Sequence, residues 1–479
     1  MPEPRTWQVV AGSAVLGLAL AAGAVAVAGP WDSGQRKAER ARAVTADARG
    51  GAHHAGAPGD AAPHRPAPAP SASGVLRALS PAEAARTTTR TGDDLAAVLV
   101  PLLADPGLGP LRTASVVDTE TGRQLYGEGA GTPMTPASVV KIATTAAALS
   151  ALGPDHRITT RTVATPDGRT VTLVGGGDPT LDRARLKALA DATARALKAR
   201  GTGSATTPVR LAYDTSLYQG PALHPIGPNE NIAPLSALMT EEGRLDHSHS
   251  GPAPRTADPA GDTAAAFARL LKKAGVTLQG DPTPGKAPGG PQAALLARTD
   301  SAPLADLVER TLTHSDNDLA EALAHQTALA HKQPASLAGG DKAVHDELAR
   351  LGLPLAGTRF ADGSGLDRRD RVSAALLTGI LTRAADPAHP ELRPVLTGLP
   401  VGGFSGTLAG RFDDGPAAVG AGLIRAKTGT LTGVNTLAGT VVTTDGRLLA
   451  FAFLAGRTSS PDAAQAALDR LGAALAPPR

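Results

Sequence analysis

The chain contains no cysteine. That excludes disulfides, a thiol nucleophile and cysteine-based zinc sites, while leaving the compartment open. Aromatic residues make up only 2% of its 479 positions, so the core has to be filled mainly by Ala, Val and Leu. Net charge is small, at +3, and no Lys/Arg cluster is interleaved with aromatics, so a nucleic-acid partner is not expected. No Gly-Lys-Ser/Thr follows the glycines of Gly175-Gly176-Gly177-Asp178, which makes that stretch a tight turn rather than a phosphate cradle. What is present is a 42% apolar content and enough length for two or three domains of about 100–200 residues.

Within residues 1–30, Val9 to Ala28 carries no charge and is long enough to cross the ~30 Å hydrocarbon layer as a helix. Ala26-Val27-Ala28 fits a small-x-small cleavage site, yet the apolar stretch exceeds the ~7–15-residue core of a signal peptide. Its length favours an uncleaved membrane anchor over a cleaved signal. The flanking charges conflict with an external C-terminal side: Arg5 is opposed by Glu3, and Arg36, Lys37, Arg40 and Arg42 follow the segment. Residues 31–85 form an Ala/Pro-rich linker without apolar periodicity, in which His53, His54 and His64 read as solvated residues rather than metal ligands.

Chemistry concentrates in Thr135-Pro136-Ala137-Ser138-Val139-Val140-Lys141 and the apolar run from Ile142 to Leu149. The run predicts a buried helix with Ser138 and Lys141 in its first turn. Residues three apart share a helix face, which brings the Lys141 amine beside the Ser138 hydroxyl. A serine hydroxyl needs a base to become a nucleophile, and a lysine acts as one once burial lowers its pKa. Alone, Ser-x-x-Lys is a weak signal. Two further motifs follow in order: Ser315-Asp316-Asn317, and Lys427-Thr428-Gly429-Thr430.

Coarse elements place these motifs. Thr113 to Asp118 and Arg123 to Tyr126 read as a hairpin, and Leu304 to Gln326 as a helix carrying or opening at the second motif. Leu423 to Thr428, Thr436 to Thr443 and Leu448 to Leu454 read as strands, closed by a helix from Pro461 to Leu475. Together they predict an α+β sandwich, a five-stranded antiparallel sheet with helices on both faces, built from residues 86–160 and 262–479. Residues 161–261 form an inserted, smaller α+β domain. Its Asp246-His247-Ser248-His249 reads as an exposed loop rather than a metal site.

Three motifs in this order mark the penicillin-recognising serine acyl-transferases. From about residue 90 onward the chain most resembles the D-Ala-D-Ala carboxypeptidase/endopeptidase family among the low-molecular-mass, class C penicillin-binding proteins. Besides the motifs, the resemblance rests on Gly175-Gly176-Gly177-Asp178-Pro179-Thr180, Ala233-Pro234-Leu235-Ser236, Asp362-Gly363-Ser364-Gly365-Leu366, Gly406-Thr407-Leu408 and Arg425 to Val434. It implies a β-lactamase/transpeptidase-like fold and an insertion after the nucleophile helix, here shorter than in the family's larger members. It also implies a serine-type D-Ala-D-Ala carboxypeptidase, acting on peptidoglycan stem peptides outside the cell and inhibited by β-lactams. No metal and no other cofactor is implied.

By the same resemblance Ser138 is the nucleophile, Lys141 its base, Ser315 a proton relay and Lys427 an electropositive neighbour of that relay. Asn317 holds the substrate amide and Lys141. Thr428, Gly429 and Thr430 line the edge that takes the terminal carboxylate, and the N–H groups of Ser138 and Thr430 form the oxyanion hole. Arg368 is expected to bind a carboxylate on the substrate's side chain. One departure concerns that side chain: family members that read diaminopimelate carry a Trp, paired acids and a Tyr before the Ala-Pro segment. Here Leu223 to Ile232 offers no aromatic except His224. Two alternatives use the same motifs. A class A β-lactamase needs a Glu-x-x-Leu-Asn that is absent between the second and third, and a non-catalytic penicillin-sensing or wall-binding module needs a broken motif.

Overall fold

The computed structural model describes residues 92–289, 293–443 and 445–476. The expected anchor at 1–30 and linker at 31–85 lie outside the described residues. Among the described residues no helix is long and apolar enough to cross a membrane.

In chain order the elements are α1 (Gly92–Leu103), β1 (Leu111–Asp118), β2 (Gln124–Glu128), a 3-10 turn (Ala137–Val140), α2 (Lys141–Leu152), β3 (Thr159–Ala164), β4 (Thr170–Val174) and α3 (Arg183–Ala199). Next come β5 (Arg210–Asp214), α4 (Pro259–Lys273), β6 (Thr283–Pro284), β7 (Ala294–Asp300), α5 (Leu304–His314), α6 (Asn317–Ala330) and α7 (Leu337–Arg350). The chain closes with α8 (Ala374–Ala385), α9 (Arg393–Thr397), β8 (Ile424–Leu431), β9 (Val434–Val442), β10 (Leu448–Gly456) and α10 (Pro461–Leu475).

The first sheet has the order β2-β1-β10-β9-β8, antiparallel throughout, so the two ends of the folded chain meet in its middle. Strand alternation divides the core. Ala450, Ala452 and Leu454 of β10 pack toward α2 and α8, whereas Leu449, Phe451 and Phe453 pack toward α1 and α10. Both faces are covered by helices, as the sequence predicts, and β10 is buried from Leu449 onward. The scarcity of aromatics shows in the core around α2, which contributes Ala143, Ala146, Ala147 and Ala148 between Ile142 and Leu149.

A second sheet, ordered β6-β5-β4-β3-β7, is mixed: β4 pairs with β5 in parallel, while β3 pairs with β4 and β7 antiparallel. Its own core lies against α3 and α4, around Leu189, Leu197, Phe267 and Leu271. A boundary at 261 falls inside α4 and leaves out β7, which completes this sheet. We therefore draw the inserted unit at 159–300.

Candidate active site

Ser138 sits on the 3-10 turn, and Lys141 is the first residue of α2. Ser138 is thus one tight turn ahead of the helix rather than in its first turn. Side chains three apart eclipse on a 3-10 turn, which is what the pair requires. Lys141 Nζ donates to Ser138 Oγ at 3.1 Å. The turn is entered through Ala137 at φ 50, a left-handed backbone that non-glycine residues rarely adopt. Packing holds it there. A Cβ on Gly365 would stand 2.1 Å from the Ala137 carbonyl oxygen, and one on Gly429 would stand 2.7 Å from the Pro136 oxygen and 3.1 Å from the Ser138 nitrogen. Two glycine-bearing segments close on the turn, and Thr436 Oγ1 donates to the Pro136 carbonyl at 2.7 Å.

Lys141 is fully buried and donates also to Asn317 Oδ1 at 2.7 Å and to the Ser364 carbonyl at 2.5 Å. Burial lowers its pKa from 10.5 to about 8, against the opposing pull of Asp362, Glu321, Asp316 and Asp370. Lys427 is equally buried, and its pKa is driven well down by burial and by the charge of Lys141. Its Nζ donates to the Thr428 carbonyl at 2.7 Å.

The second motif lies at the mouth of a helix, between α5 and α6, rather than within one long helix. Ser315 ends α5 in a left-handed conformation, φ 57, and Asp316 caps α6 by accepting the Leu319 N–H at 3.0 Å. Ser315 therefore stands at a corner, half-buried. Asn317, next in line, divides its amide: the oxygen accepts from Lys141 and the nitrogen donates to the Asn231 carbonyl at 2.9 Å.

The third motif occupies the exposed edge of the first sheet, since β8 is the terminal strand. Ala426 N–H turns outward to the Pro400 carbonyl at 2.9 Å, so by the two-residue period the backbone groups of Thr428 and Thr430 also face outward, away from β9. Thr428 Oγ1 bonds Thr407 Oγ1 at 2.9 Å, which ties this edge to the Gly406-Thr407-Leu408 turn. That turn in turn packs on the end of α5, where a Cβ on Gly406 would come within 2.1 Å of the Thr313 oxygen.

Ser138, Lys141, Asn317 and Lys427 are thus brought together at one place. Arg368 is exposed and lies to one side. Its Nη1 donates to the Thr432 carbonyl at 3.1 Å, and it lines a cleft of about 360 Å³ with Thr135, Arg371 and Arg457. The loop histidine His247 is exposed beside Arg183, 2.9 Å away.

Sequence reasoning passed over the acids that surround Lys141. Glu321 and Asp362 were visible only as parts of longer strings; a glutamate between Ala320 and Ala322 in a helix with an apolar face was the available signal.

A model of the D-Ala-D-Ala carboxypeptidase 3 (S13) family matches residues 95–254 and 250–475. Carboxypeptidase DacB of Mycolicibacterium smegmatis is 37% identical over 439 residues, spanning 87% of this chain and 90% of that protein. The D-alanyl-D-alanine carboxypeptidase of an Actinomadura species is 31% identical over 470 residues, spanning 81% and 85%. The crystal structure of penicillin binding protein 4 (dacB) from Haemophilus influenzae aligns with a TM-score of 0.65 over 80% of this chain and 97% of that one. At 22% identity that likeness is one of fold.

Proposed function

The chain belongs to the D-Ala-D-Ala carboxypeptidase 3 (S13) family, and from that premise we propose how its cleft carries out the reaction. The activity is that of a serine-type D-Ala-D-Ala carboxypeptidase, a penicillin-binding protein of cell-wall metabolism. Lys141, as the neutral amine, takes the Ser138 proton while Ser138 Oγ attacks the carbonyl between the two terminal D-alanines. The N–H groups of Ser138 and Thr430 receive the oxyanion, a contribution of roughly 3–4 kcal/mol for each donor. Ser315 hands a proton to the leaving amine beside Lys427, D-alanine departs, and water releases the acyl group. Asn317 orients the substrate amide, and Thr428 with Thr430 takes the terminal carboxylate at the open edge of β8.

The same acyl-enzyme forms from a cross-bridged stem peptide, which gives the site endopeptidase action as well. Arg368, with Arg371 and Arg457 beside it, would meet a carboxylate on the substrate's side chain. The catalytic domain acts outside the cell, tethered by the segment within residues 1–30. A β-lactam, which mimics the D-Ala-D-Ala amide, would acylate Ser138.

The observation that carries this reading is Lys141: wholly buried, 3.1 Å from Ser138 Oγ, 2.7 Å from Asn317 Oδ1, and with its pKa down at about 8. Mass spectrometry of the intact protein after exposure to benzylpenicillin tests it. One adduct per chain is expected, and none on Ser138→Ala. An adduct that survives that substitution removes Ser138 from the role.

A further inference from the structure

The inserted unit meets the corner between α6 and α7 around a cleft of about 630 Å³ that the proposed reaction leaves unused. Its size falls within the ~300–1,000 Å³ of small-molecule sites, which concentrate at junctions of this kind. Two of the chain's three tyrosines line it, Tyr213 from β5 and Tyr218 from the loop that follows. His325 of α6 supplies a third ring, stacked on Tyr218 with centroids 4.4 Å apart. In a chain with 2% aromatics this is a concentration of flat faces.

Tyr218 is clamped in place. Its hydroxyl donates to the Gly177 carbonyl at 3.3 Å, and Gln326 Nε2 donates to the Gly176 carbonyl at 2.8 Å. A Cβ on Gly177 would stand 2.5 Å from the Tyr218 hydroxyl and 2.7 Å from Gln326 Nε2. The glycine stretch ahead of Asp178 therefore seats this ring, and the platform exists before any ligand arrives. His325 is 2% exposed, and its Nδ1 lies 2.7 Å from the Glu321 carbonyl, one turn back on α6. A carbonyl only accepts, so this bond puts a proton on Nδ1. Burial lowers the pKa of the ring and keeps it neutral. Nε2 is then a bare acceptor, on the ring edge turned away from the helix, with no protein partner among the described residues.

Asp258 adds a carboxylate to the cleft and uses Oδ1 to cap α4, accepting the Gly261 N–H at 2.9 Å. Among the described residues no lysine or arginine lines the walls, so the cleft is not built for an anion. Flat rings, an imidazole acceptor, a carboxylate and no cation suit a neutral ring rich in hydroxyls. Its C–H face lies on an aromatic side chain, and its O–H groups donate to the acceptors. We propose that this cleft binds a saccharide unit of the glycan strand that carries the stem peptide, with Tyr213 and Tyr218 against the sugar and His325 Nε2 accepting one of its hydroxyls. The reach fits. Asn317 and His325 lie just over two turns apart on α6, about 12 Å, which an extended peptide covers in three or four residues.

The inference takes its substrate from the peptidase reading, so binding is measured apart from turnover. Saturation-transfer NMR on the full chain, with a β-1,4-linked tetramer of N-acetylglucosamine as probe, should show transfer to the sugar. His325→Phe, which keeps a ring on Tyr218 but removes the acceptor, should lose it. In turnover, kcat/KM for D-alanine release should be about 10-fold higher for a disaccharide-pentapeptide than for the same pentapeptide without sugar. His325→Phe and Tyr213→Ala should erase that difference and leave benzylpenicillin acylation unchanged, since penicillin carries no sugar. No transfer to the tetramer overturns the proposal, and so does equal kcat/KM for the two substrates. Transfer to the free pentapeptide alone would assign the cleft to peptide and overturn it too. A fall for both substrates and for penicillin in the variants means a merely structural role, with the same consequence. If His325→Phe does not fold, Tyr213→Ala decides by the same readouts. Should neither substrate release D-alanine, the peptidase reading fails, while transfer to the tetramer and its loss in the variants still decide the cleft.

Discussion

The base role proposed for Lys141 needs two properties that oppose each other in water: a low enough pKa to be neutral, and a fixed place beside Ser138. Burial supplies the first, and the two acceptors besides Ser138, Asn317 Oδ1 and the Ser364 carbonyl, supply the second while leaving the amine lone pair for the serine. Acylation should therefore increase with pH through a midpoint near 8, because the neutral amine is the active form and is lost as pH falls. Lys141→Ala should reduce acylation nearly as far as Ser138→Ala, since groups acting as one unit give losses that do not add. Near-normal acylation of Lys141→Ala would assign the proton to another base. Arg368 is a separate matter at this scale. Its planar guanidinium suits a carboxylate, and it is exposed, with one face engaged by the Thr432 carbonyl. Arg368→Ala should lower kcat/KM for a stem peptide with a carboxylate-bearing side chain by ~10-fold, while hardly changing penicillin acylation. An equal fall for both substrates would show that the arginine only braces the loop around Thr432.

At the scale of elements, the site is the meeting of one 3-10 turn, one helix corner and one sheet edge, each held by close backbone approaches. Gly429 lets β8 lie on the turn that carries Ser138. Gly429→Ala would place a Cβ 2.2 Å from Thr436 Oγ1 and 2.7 Å from the Pro136 oxygen, so the turn must move. Because a displacement of about 1 Å costs on the order of 10²-fold in rate, acylation should drop by that amount while the melting temperature changes little. Unchanged acylation would mean that the turn tolerates a wider gap than the packing suggests. The C-terminal elements could be read from the sequence because local signals agree there: a short unbroken apolar run in β10, a turn at Asp445-Gly446, and Pro461 opening α10. At Ser315 the sequence leaves two readings open, the motif on a long helix or at the mouth of one; the polar run Thr313 to Asp318 and the Asp316 cap mark the corner, and the second helix opens there. The acids around Lys141 were not readable as a site at all. Glu321 and Asp362 converge only through tertiary folding, and no periodicity joins them.

The molecule as a whole ties its two sheets together through the second motif. Asp318, one residue past Asn317, accepts the Ala233 N–H at 2.9 Å and pairs with Arg255 Nη1 at 2.7 Å. Both side chains are almost fully buried, so the inserted unit is pinned to α6 by an ion pair removed from water. Breaking such a pair by deleting one partner is far costlier than its net worth, at about 3–5 kcal/mol, because the other charge is left unpaired. The cost depends on pH. Burial raises the Asp318 pKa to about 6 even with Arg255 beside it, and loss of the arginine must raise it further. A carboxyl with a raised folded pKa contributes stability at low pH and loses it as pH increases. Arg255→Ala should therefore be nearly as stable as wild type at pH 5, where Asp318 is protonated in both. It should be markedly less stable at pH 8, where the variant must either bury an unpaired carboxylate or hold a proton against the solvent. Urea denaturation at the two pH values measures this. A destabilisation that is equal at both would mean that Arg255 acts by packing alone, and acylation measured on the same samples would show whether loosening the insertion also moves Asn317, whose amide nitrogen is bound to Asn231 in that same segment.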